Sequence, residues 1–271
     1  LAANGSNSYG IYSKSNSGTS TITNSGTITN SGESKYGIFS YLNSGTETLT
    51  NSGTITASGG GAAGIISNNN SGSGTGTLTN SGTITTSGTA GYGISSESNS
   101  GTSIMTNSGT ISTTGNYGVG IATKEDTNPT ITNSGTITTS GNYSYGIYSE
   151  SNSGTSTITN SDKIITSGAS SYGIYSESNS GTETFTNSGT ITTSGQYGHG
   201  MYSKSQASGG TSTLTNSGAI TTTGTFSYGI YSLQNSGTNT ITNSGTLAAN
   251  GSNSYGIYSK SNSGTSTITN S

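Results

Sequence analysis

The sequence predicts an all-β fold, a parallel β-solenoid (right-handed β-helix) of about ten coils with three short strands per coil. Three observations carry this reading. A phrase of about 27 residues tiles the whole chain. Three aliphatic columns recur within that phrase, and Gly, Ser-Gly or Asn-Ser-Gly closes every candidate element.

Composition alone points elsewhere. Of 271 residues, 45 are Gly and only 25% are hydrophobic, a mixture usual in disordered chains. Disorder normally comes with high net charge, and here the formal charge is only −3. The order of the residues therefore decides between disorder and a fold held by backbone pairing.

Units begin at Leu1, Ile28, Ile55, Ile84, Ile111, Ile137, Ile164, Ile191, Ile220 and Leu247. Residues 1–271 read as one continuous solenoid. Nearly all length variation falls between the "YGIYS" and "TITNS" phrases, at 67–76, 123–130 and 203–211. Variation confined to one place marks a corner that bulges without disturbing the stack.

The first strand phrase, "GTITT", carries the column Ile28, Ile55, Ile84 and their successors. The second, "YGIYS", carries Ile11, Ile38, Ile65 and onward; the third, "STITN", carries Ile22, Leu49, Leu78 and onward. Alternation with period 2 points each aliphatic residue inward and its threonine neighbours outward, as in Thr157-Ile158-Thr159. No run shows the 3.6-residue spacing of a helix. One unit cannot bury its own aliphatic face, so successive units must stack, giving a rod of roughly 45 Å at one strand spacing per coil. The crossover rule predicts right-handed winding.

Asn24, Asn51, Asn80, Asn107, Asn133, Asn160, Asn187, Asn216, Asn243 and Asn270 form an unbroken column, each followed by Ser. Stacked amides at a corner can bond the side chain above and below, so the column reads as a structural ladder, with a polar ligand strip as the alternative. Two glycine columns, one through Gly146 and one through Gly141, imply positive φ or close backbone approach. Around the Gly146 column stand aromatic residues. Tyr12, Phe39, Tyr148, Tyr175, Tyr202, Tyr231 and Tyr258 form one series, which reads first as ring stacking and second as a contact surface for carbohydrate or protein, so that a carbohydrate-binding β-helix surface is an alternative function. His199 occupies a slot of the other series, which includes Tyr145, Tyr172 and Tyr228. A further column alternates charge as Glu97–Lys124–Glu150 and Glu177–Lys204, weak pairs that would specify which coil stacks on which.

The chain has no Arg, and its only Asp residues are Asp126 and Asp162. No clustered acids with a cation suit polysaccharide cleavage, and His199 lies two coils from Asp162, so no catalytic residue is assigned. No metal site and no cofactor is expected, because Gly- and Asp-rich calcium loops are absent. The scarcity of cations argues against nucleic-acid binding. No apolar run approaches the roughly 18 residues of a membrane span.

The phrase "ITNSGTITTSG…YGIYS" resembles the passenger repeats of bacterial autotransporters and the related filamentous-haemagglutinin-like adhesins. That resemblance implies type V secretion, an extracellular position at the bacterial cell surface, and adhesion or biofilm function. Partners would then be host or cell-surface glycans or proteins, and further copies of the fibre itself. Two other readings come from the residues. The outward threonine pairs of the third column, such as Thr157 and Thr159, make a two-column array similar to ice-binding faces. Residues 1–25 are identical to residues 247–271, so nine coils, 246 residues, form a longer period that restarts at Leu247. That period is expected to continue along the gene as a self-associating filament or stalk.

Overall fold

Short β-prone phrases closed by turn residues can satisfy their backbone only by pairing with the same phrase one coil away. A computed structural model of the chain, describing residues 1–3, 5, 8–32, 34–70, 74–204, 210–260 and 262–271, shows that pairing throughout. Each coil gives one strand to each of three sheets; each sheet has ten strands, all pairing parallel with the coil before and after. In the sixth coil these strands are Thr136–Thr139 (sheet 1), Tyr145–Glu150 (sheet 2) and Thr155–Asn160 (sheet 3). The described residues contain no helix.

Register follows the columns read from the sequence. Ile137 lies opposite Ile164, Ile147 opposite Ile174, and Ile158 opposite Phe185. The three aliphatic columns meet in one continuous core that is fully buried from Ile28 to Ile241. At the ends, Ile11, Ile22, Leu247 and Ile257 are only partly covered, because each has a neighbour coil on one side alone. Burial of such a side chain contributes about 1.5–3 kcal/mol.

Three corners close each coil, and positive φ marks two of them. Between sheets 1 and 2 it falls on Tyr117, Tyr143, Ser170, Tyr197 and Phe226; between sheets 2 and 3 it falls on Ser98, Glu125, Ser151, Ser178 and Gln234. The invariant glycines mostly serve a different need, close approach. A Cβ on Gly146 would stand 2.4 Å from Ile164 Cγ2 and 2.5 Å from the Gly173 carbonyl oxygen. Of the two causes the sequence allows for these glycines, steric room therefore governs this column. The third corner is the Asn-Ser-Gly turn between sheets 3 and 1. The enlarged forms of the variable corner, at 71–73 and 205–209, lie outside the described residues.

Candidate functional site

In the Asn-Ser-Gly corner, alternation points the asparagine inward from the end of sheet 3. From Asn24 to Asn243 each Nδ2 donates to Oδ1 of the next coil's asparagine at 2.7–2.8 Å, the last bond ending on Asn270. The same Nδ2 also donates to a carbonyl two residues on, as from Asn51 to Gly53 at 3.2 Å. From Asn51 to Asn216 these side chains are fully buried. A ligand reading this column would first have to open the solenoid, so the geometry is that of an internal strut.

A second amide column stands in the corner between sheets 2 and 3, where the sequence shows mainly length variation. The backbone N–H of Asn43 donates to Asn70 Oδ1 at 2.8 Å, that of Asn70 to Asn99 at 2.9 Å, and that of Asn152 to Asn179 at 2.7 Å. Each Nδ2 turns back to a serine three residues earlier, as from Asn152 to Ser149 at 2.9 Å. The fifth coil exchanges both members of this pair. Asp126 takes the asparagine's place, and Thr123 takes the serine's and donates to Asp126 Oδ2 at 2.7 Å. A carboxylate has no N–H to give, so a hydroxyl must be the donor.

Beside this column the inward positions at the start of sheet 3 hold Glu47 and Glu183. Glu183 is fully buried, and its Oε1 accepts from Ser176 Oγ and from Asn179 Nδ2 at 2.8 Å. Its Oε2 has no hydrogen-bond partner among the described residues. Burial pushes this carboxyl up to about 7, against the lowering effect of its hydrogen bonds. Burial likewise raises Glu47, which accepts from Ser67 and Asn70 at 2.9 Å each. Next to Glu47, where Gly76 brings no side chain to the inward column, lies a cavity of about 10 Å³, room for about one water molecule. Lys35, also buried, donates from Nζ to the carbonyls of Ser31 and Ala3.

The outer face of sheet 2 carries the aromatic series. Tyr148 stacks on Tyr175 at 5.5 Å, Tyr175 on Tyr202 at 5.0 Å, and Tyr202 on Tyr231 at 4.5 Å. Tyr12 stacks on Phe39 at 5.3 Å, and Tyr231 on Tyr258 at 5.3 Å in a tilted pair. The series is not continuous, since Ile66, Ser95 and Ala122 stand between Phe39 and Tyr148. Stacking covers most of the ring area: Phe39, Tyr175 and Tyr202 are buried, Tyr148, Tyr231 and Tyr258 half-buried, and Tyr12 alone of the seven is exposed.

His199 fills its slot between Tyr172 and Tyr228, with ring centroids 5.1 and 4.8 Å away and planes within 4° and 2°. Its Nδ1 accepts the Tyr228 backbone N–H at 3.1 Å, so Nε2 carries the proton. Burial lowers its pKa to about 3 and keeps it neutral. Tyr172 is pushed up to about 12, by burial first and by the charge of Glu177 second. At the edge of this face Lys204 bonds Glu177 at 2.5 Å and Lys124 lies 3.6 Å from Glu150. Glu97 instead accepts from Asn68 of the preceding coil at 3.1 Å, and it forms no ion pair with Lys124.

The corner between sheets 1 and 2 exposes a separate aromatic column. Tyr117 stacks on Tyr143 at 5.2 Å and Tyr197 on Phe226 at 5.5 Å, both pairs within 11° of parallel. Their exposures are 53%, 48%, 46% and 37%, on a surface otherwise rich in Ser, Thr and Asn. All four occupy left-handed backbone, φ 55–58°, which costs a bulky residue about 1–2 kcal/mol and suits Gly or Asn better. In the sequence their signal is an aromatic residue two places after the glycine in "TGNYG", "SGNYS", "SGQYG" and "TGTFS".

Among the described residues no three His, Asp or Glu side chains converge on one point. Two stretches of the chain, 34–154 and 147–271, match a family model described as BigA third pectate lyase-like domain. Together they span most of the solenoid. No curated protein and no solved structure matches the chain.

Proposed function

We propose, because the chain belongs to the BigA third pectate lyase-like domain family of bacterial surface proteins, that it is a stalk segment of an extracellular fibre. In that role it holds adhesive parts of a longer protein away from the cell and serves adhesion or biofilm formation. The pectate lyase-like label describes a fold likeness, and the reading here is non-enzymatic.

The observation that carries this reading is the uniformity of the coil-to-coil interface. Each sheet passes through ten coils in one parallel register, and coil ten repeats the sequence of coil one. An interface that recurs in this way sets length without limiting it. The test is a distance measurement on intact cells. A label on the distal side of the segment should move outward by roughly 43 Å when one extra nine-coil block is inserted, at one strand spacing per coil. A label that stays in place excludes the stalk.

One further feature supports a second reading, an ice-binding face. Outward threonines of sheet 3 stay in register from coil to coil, Thr157 opposite Thr184 and Thr159 opposite Thr186. Ile104 breaks the array. Absence of ice-recrystallisation inhibition by the purified chain at micromolar concentration removes that reading.

A further inference from the structure

The corner between sheets 1 and 2 is hydrogen bonded from coil to coil through its left-handed residues. Tyr143 N–H donates to the Ala169 carbonyl at 2.9 Å, Ser170 N–H to Gln196 at 2.7 Å, and Tyr197 N–H to Thr225 at 2.9 Å. Backbone conformation is the same at each rung, with φ 55° at Tyr143, 52° at Ser170 and 56° at Tyr197. The rings of Tyr143 and Tyr197 therefore belong to one stacked column from which the rung between them is missing. Two strand spacings separate those rungs by about 9.6 Å, so a flat ring placed between them would lie about 4.8 Å from each, within the usual stacking range.

We propose that this gap, floored by Ser170 and walled by Tyr143 and Tyr197, is a binding slot for one pyranose ring of a neutral glycan. The walls offer two flat apolar faces, which match the C–H faces of a sugar ring. Hydrogen-bonding groups surround them. Asn142 commits its Oδ1 to the Ala169 N–H at 2.9 Å, while its Nδ2 has no protein partner among the described residues. Gln196 is exposed beside Tyr197, and Ser170 brings a hydroxyl to the floor. The turns at 141–144, 168–171 and 195–198 contain no charged residue, and the chain has no arginine, which selects a neutral sugar over a uronate. The left-handed backbone beneath exposed aromatic rings fits a site whose value lies outside folding. The slot does not depend on the stalk reading, because a spacer of this kind needs no ligand.

The experiment uses the whole chain and immobilised neutral oligosaccharides of glucose, galactose, mannose and N-acetylglucosamine, with oligogalacturonate as the charged comparison. Ser170→Tyr restores the missing rung with the residue already native at 143 and 197, and circular dichroism verifies that the variant stays folded. At least one neutral series should bind the native chain. Both Ser170→Tyr and Tyr197→Ser should weaken that binding about tenfold, the loss expected for removing stacked contacts. Tyr12→Ser, on a different face, should leave it unchanged. The slot is refuted by native protein that binds no neutral series at millimolar concentration, by preference for oligogalacturonate, or by full binding in Ser170→Tyr. It is refuted equally if Ser170→Tyr abolishes self-association and leaves sugar binding intact, since the occupant would then be a protein ring.

Discussion

Glu183 sits among Ser176, Asn179 and the apolar core; among the described residues no cation bonds it, and its Oε2 has no hydrogen-bond partner. Its folded pKa is raised to about 7 from 4.5, so the native chain holds a proton that the unfolded chain releases. The stability this proton confers is complete below pH 4.5 and is lost as pH rises through about 7, an effect of order 3 kcal/mol. Urea denaturation at pH 5 and pH 8 should show the native chain weaker at the higher pH. Glu183→Gln should flatten the dependence, and an unchanged slope in the variant would assign it elsewhere. The inward direction of Glu183 was legible, since period 2 from Phe185 places it inside. Its burial was less so, because a glutamate at a strand start is ordinarily solvated. The left-handed tyrosines were hidden for a related reason: local preference assigns such φ to Gly or Asn, and only the stacked neighbours show why aromatic residues stand there.

At the scale of strands and ladders, the asparagine column was read from its unbroken spacing, because an amide is among the few groups that can bond identical copies above and below. The second amide column escaped that reading. Its members bond backbone N–H groups, and the Thr123–Asp126 exchange breaks the sequence pattern while preserving the hydrogen bonds. Asn160→Ala should leave the amides of Asn133 and Asn187 each short of one partner, at a cost of about 1–3 kcal/mol. Asn270→Ala, at the exposed end, should cost far less, and equal losses in the two variants would deny the ladder its role. Gly146→Ala tests close packing in sheet 2, where the added methyl would overlap Ile164 and the Gly173 carbonyl. It should destabilise by about 1–3 kcal/mol. Gly26→Ala, with nothing within 4 Å of the new carbon, should be nearly neutral.

Over the whole molecule, sheets 1, 2 and 3 make stability a sum of similar coil-to-coil interfaces. Deleting residues 164–190 removes one full coil and joins Lys163 to Ile191 in phase. The shortened chain should keep its β spectrum and unfold cooperatively with a urea m-value lower by about a tenth. Deleting only 164–176 throws the three columns out of phase, and that chain should not fold. Equal behaviour of the two deletions would contradict the column register.

The backbone hydrogen bonds of all three sheets run parallel to the rod axis, so a load carried along the rod pulls directly on them. Coils at a loaded end would peel singly, the bonds of one coil failing before those of the next are strained. Each coil of about 27 residues then releases up to roughly 90 Å of extended chain in exchange for one strand spacing of rod. Pulled by its ends, the chain should yield a series of low, evenly spaced force steps rather than one high rupture. Such a tether would lengthen under flow and re-coil when the drag falls.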